Sequence, residues 1–77
     1  MTIEQLQKEI YRNNDRILNL QDIAFEEQIP EDEREWYVGV HWHSKVQVAS
    51  AKKQIEELEA KNRELEEQIN LMMAIRL

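Results

Sequence analysis

The sequence predicts an all-α fold: an antiparallel helical hairpin, prolonged at its C-terminal end by a parallel coiled coil that makes the chain a homodimer. Three observations carry this expectation. Two long segments place apolar residues three and four apart. One proline and one glycine in 77 residues leave few places to break a helix. Residues 48–77 repeat in sevens, with an asparagine at one inner position.

The first helix is expected over residues 1–28. Thr2 and Gln5 fit a capping box, in which the Thr2 hydroxyl accepts from the Gln5 backbone N–H and the Gln5 side chain reaches back. Met1 and Leu6 stand where a hydrophobic staple would. Ile3, Leu6, Ile10, Ile17, Leu20 and Ala24 then form one apolar stripe. Asn13 interrupts it, which suggests either a kink or a polar pocket.

Residues 29–35 read as an acidic turn. The residue before Pro30 is pushed out of the α region, so the first helix should end near Gln28. Pro30 suits the first turn of a new helix, whose positive end would favour Glu31, Asp32 and Glu33. A short connection between two helices implies that they run antiparallel.

Residues 51–77 read as the coiled coil. Val48, Ile55, Asn62 and Ile69 fall at heptad position a, and Ala51, Leu58, Leu65 and Met72 at d. Branched residues at a with leucine at d favour a parallel pair, and a single asparagine at a fixes its register. Lys61 could then meet Glu66 of a second copy. Asn62→Val should raise stability while loosening the strict dimer. The same stripe could instead pack on the first helix of its own chain. The whole of 1–77 is read as one domain.

Between these segments, residues 36–50 hold both tryptophans, both histidines and the single glycine. Read with period two, the stretch is a strand, with His41 and His43 on one face as a zinc-chelating pair needs. Read at 100° per residue it is a helix, apolar on two sides, and the histidines diverge by about 200°. The helical reading is preferred, because the heptad seam runs through it without a phase break. Residues 36–50 are accordingly taken as the start of the second helix, with no metal bound. A zinc-binding, strand-swapped dimer through His41 and His43 is the rival.

Composition limits the function classes. The net charge is −6, with three of those negative charges in Glu31–Glu35 and three in residues 1–29. Such a surface repels phosphate backbones, so DNA or RNA binding is not expected, whereas a basic protein partner would suit it. No cysteine is present, no apolar run is long enough to span a membrane, and the start lacks a signal-peptide core. A cytoplasmic chain is expected. There is no Gly-rich phosphate loop, zinc helix or cysteine nucleophile, so neither an enzyme nor a cofactor is expected. The candidate surface for a ligand or partner is Trp36, Tyr37, Trp42, His41 and His43.

Residues 29–42, IPEDEREWYVGVHW, resemble the turn and second-helix start of the Acb2/Tad1 family of small phage helical hairpins. The likeness lies in the acidic, proline-containing turn, then Arg34, Glu35 and Trp36 followed by small and branched apolar residues. The histidines and Trp42 depart from that pattern, and the coiled coil is additional. That family sequesters nucleotide messengers of bacterial immunity. The resemblance implies a non-enzymatic oligomer holding a small nucleotide between protomers. The first expectation is nevertheless a homodimeric adaptor or inhibitor, whose size and acidity would fit a phage or mobile-element origin. The second is a sponge for cyclic-nucleotide-type messengers, in which the aromatic residues would stack on a base.

Overall fold

The computed structural model describes residues 1–36, without the Glu35 side chain, and 42–75. These form an all-helical chain, and no strand occurs among the described residues. Helix α1 runs Ile3–Ala24 and helix α2 runs Lys45–Ile75. Short 3-10 helices cover Phe25–Gln28 and Glu31–Trp36.

The start of α1 is set by Thr2. Its hydroxyl accepts from the Gln5 N–H at 3.1 Å, and Gln5 Oε1 accepts from the Thr2 N–H at 2.9 Å. Two donors that the first turn would leave without partners are thereby satisfied. The helix tightens to 3-10 at Phe25, and Ile29 turns extended (φ −95°, ψ 115°). That is the conformation demanded by Pro30 behind it.

The expectation of one helix from residue 36 onward needs correction. α2 begins at Lys45, and residues 42–44 have no regular structure. A second capping box starts it. Ser44 Oγ accepts from the Gln47 N–H at 3.2 Å, and Gln47 Oε1 accepts from the Ser44 N–H at 2.8 Å. The sequence Ser-Lys-Val-Gln is itself that signal, and the unbroken apolar phase hid it. The strand alternative meets the same facts, since Trp36 ends a 3-10 helix and Val46 and Val48 are helical. Both readings of residues 37–41 lie outside the described residues.

The two helices pack along each other. Asn13 meets Asn62, Arg16 meets Gln54, and Glu26 meets His43, so later residues of the first arm lie against earlier ones of the second. At 59 × 18 × 15 Å, the chain has the width of two helices of about 10 Å side by side. The core is a single file: Leu6 and Ile17 from α1, and Val48, Ala51 and Ile69 from α2. Ile55, Leu58, Leu65 and Met72 are half-buried. The heptad seam of α2 is therefore turned toward α1 of the same chain. α1 accompanies α2 at least as far as Asn62, so at least the first part of 51–77 lies beside the first helix and not beyond it. The physical reason is that both stripes need covering, and the stripe of α1 is long enough to cover that of α2.

Candidate functional site

Two polar clusters interrupt this apolar file. The first lies at mid-length. Asn13 Nδ2 donates to Asn62 Oδ1 at 2.9 Å, and Asn62 Nδ2 donates to Asn14 Oδ1 at 2.9 Å. Asn62 is buried at 9% exposure, so both ends of its amide need partners. Each helix carries an asparagine in its apolar stripe, and the fold sets the two opposite each other. The asparagine expected to fix a coiled-coil register across two chains is here hydrogen-bonded to two asparagines of its own chain.

The second cluster gathers around the connection. Glu26 is buried at 8% exposure. Its Oε2 accepts from the His43 backbone N–H at 2.9 Å, and His43 Nδ1 lies 2.7 Å from its Oε1. A carboxylate can only accept, so Nδ1 carries the proton and donates. The His43 side-chain hydrogen bond chiefly holds the Glu26 carboxyl below its ordinary value of 4.5. Burial works in the other direction and is outweighed by that bond, the backbone N–H and the charges of His43 and Arg34.

Arg34 ties the other side. Its Nη2 donates to the Glu26 carbonyl at 3.0 Å and its Nε to the Ile29 carbonyl at 3.4 Å. The guanidinium lies over the Trp42 ring, 4.8 Å from its centroid. Such a contact contributes about 0.5–1 kcal/mol where it is partly solvated. Lys52 and Glu27 form an ion pair beside it. Together these contacts tie Glu26, Ile29 and Arg34 to Trp42 and His43, and Glu27 to Lys52 of α2.

An open-sided cleft of about 670 Å³ lies between them, lined among others by Ile29, Pro30, Arg34, His43, Lys45 and Lys52. The volume is that of a small-molecule site. Its wall is richer in cations than the rest of this acidic chain, with Glu27 and Glu31 as the acidic members.

The expected surface residues fall into three groups. Trp42 and His43 are half-buried and joined to Arg34 and Glu26. Trp36 is 80% exposed. Tyr37 and His41 lie outside the described residues, and with His41 goes the chelating pair. Among the described residues no three His, Asp or Glu side chains stand together as metal ligands. Of the eight seam residues expected to join two chains, Val48, Ala51, Asn62 and Ile69 are buried within this one. Glu26 and Ser44 are not among the residues that the sequence marks as a site, and Arg34 is marked only within the family resemblance. Only Ser44 carried a readable signal.

Comparison of the chain with protein-family models, with curated proteins and with solved structures gave no match. No helix among the described residues is long and apolar enough to cross a membrane.

Proposed function

We propose that this chain acts by binding and not by catalysis, as a homodimeric adaptor or inhibitor whose protomer is an antiparallel helical hairpin. The observation that carries the reading is the balance of apolar surface. Among the described residues five apolar side chains are buried, while nine large ones lie open, Trp36 and Ile75 among the most exposed. A chain this short stabilises little core by itself, and exposed apolar side chains that fall together, as Tyr11, Leu18 and Phe25 do along α1, support contact with another macromolecule.

The dimer of this proposal differs from a parallel coiled coil through Val48 to Met72. Val48, Ala51, Asn62 and Ile69 are already buried within the protomer, which favours an interface on another face. The acidic turn at Glu31, Asp32 and Glu33 suits a basic protein as the further partner. Sedimentation equilibrium at micromolar concentrations tests the self-association. A concentration-dependent dimer is expected, and a monomer throughout would contradict it.

A second reading is a nucleotide-sequestering hairpin of the Acb2/Tad1 type. Arg34 stacked on Trp42, beside Lys45 and Lys52 in a cleft of ligand size, supports it. Thermal-shift screening with cyclic dinucleotides and ADP-ribose derivatives tests it. Stabilisation by one of them, lost in Arg34→Ala, is expected under this reading. No shift at millimolar ligand would dispose of it.

A further inference from the structure

Helix α1 carries two stripes. The inner one, with Leu6 and Ile17 buried, faces α2. The second is Gln7, Tyr11, Asn14, Leu18, Gln21 and Phe25. Its apolar members recur every seventh residue, at 66%, 61% and 57% exposure for Tyr11, Leu18 and Phe25. Its polar members are all uncharged amides, in a chain that is 34% charged. The charges of this part of α1 (Lys8, Glu9, Arg12, Asp15, Arg16 and Asp22) lie to its sides, Asp22 and Asp15 nearest, at roughly 40° and 60° from Leu18.

At about 100° per residue, the centre of this stripe stands about 100° from the centre of the inner one. That angle is the one a helix needs to touch two neighbours in a four-helix assembly. One neighbour, α2, is present in the chain. We infer that the other is α1 of a second copy, so that Tyr11, Leu18 and Phe25 form the dimer interface. This rests on the self-association proposed above and says where it occurs.

Three arguments favour a second copy over another occupant. The first is charge. Two molecules of net charge −6 repel, and they approach at least cost through the face of α1 poorest in charge, whose centre is apolar and amide and whose edge carries Asp15 and Asp22. A basic partner gains little from the centre of that face. The second is symmetry. A stripe of period seven meets its own copy in register, with Leu18 against Leu18 at the two-fold axis whichever way the helices run. The third is size. The three apolar residues and their amide neighbours offer on the order of 600 Å² per protomer, somewhat below the roughly 800 Å² of a standard interface. The dimer should therefore dissociate on dilution. Asn14 gives one amide oxygen to Asn62, which anchors the middle of the stripe to the protomer core.

The test is sedimentation equilibrium of the wild type, Leu18→Lys and Leu18→Cys, with circular dichroism to follow helicity. Leu18 is exposed, so its replacement should leave the helices intact. The expected result is a dimer for the wild type and a dissociation constant raised roughly thirtyfold or more in Leu18→Lys. Leu18→Cys, in a chain without other cysteines, should form a disulfide-linked dimer on mild oxidation. A wild-type dimer that Leu18→Lys leaves unchanged, or that Leu18→Cys does not cross-link, would overturn the interface and leave self-association standing. A monomeric wild type would overturn both. Should Leu18→Lys lose helicity, the cross-link decides.

Discussion

The helical body and the connection are held by different means. From Ile3 to Ala24 and from Lys45 to Ile75, side chains three and four apart stack into one apolar file. Between Phe25 and Ser44 the described contacts are few, specific and polar: Glu26 to His43, and Arg34 to two carbonyls and Trp42. The body spreads its stability over many small contacts. Among the described residues of the connection, Glu26 and Arg34 make most of the named contacts, and single substitutions there should act accordingly.

The largest effect is expected in the body. Leu6 is 1% exposed, and Leu6→Ala should lower unfolding free energy by about 2–4 kcal/mol in chemical denaturation. In so short a core, that is enough to unfold much of the population. A loss below about 1 kcal/mol would mean that the file at this end is loosely packed.

Glu26→Leu strikes the connection. It removes the acceptor of two His43 hydrogen bonds and should destabilise by about 1–3 kcal/mol. Hydrogen exchange should quicken for amides between residues 25 and 45 more than for those of mid-α1. Uniform quickening would show that connection and body open as one unit.

Acid should act on the same pair. The folded Glu26 carboxyl titrates below its unfolded value, so its contribution is complete above about pH 4.5. It is lost as the pH falls from there through the lowered folded value. Glu26→Gln should flatten that part of the stability profile. An unchanged profile would assign the acid sensitivity to other carboxylates.

The smallest effect concerns the asparagines. Asn62→Val alone strands the amides of Asn13 and Asn14 and should be neutral or destabilising by about 1 kcal/mol. This reverses the expectation for a two-chain coiled coil. Replacing both Asn13 and Asn62 with leucine should raise the melting temperature, since the one amide that loses its partner, Asn14, is exposed and can turn to water.

Periodicity makes the body legible in the amino-acid sequence. The stripe of α1, its Thr2–Gln5 cap and the end near Gln28 all follow from spacing and from Pro30. Periodicity misleads at residues 42–44, where an apolar phase that happens to continue outweighs the Ser44–Gln47 cap. It also leaves open which helix covers Val48 to Ile69, because a heptad seam looks alike whether its partner is in the same chain or another. Asn13 and Asn62 hold the answer, as two lone interruptions that a hairpin register superimposes. The clasp at Glu26 is not legible. It joins residues 17 apart across a turn, and no local pattern distinguishes that glutamate from its neighbour Glu27.

Whether α1 covers its own α2 can be decided by one cross-linking measurement. A chain carrying Asn13→Cys and Asn62→Cys is oxidised at low concentration, and its mass is read without reductant. A disulfide within a chain of monomer mass is the predicted result. Linkage only between chains, or no linkage, would contradict the intrachain packing and return the seam of α2 to a second copy.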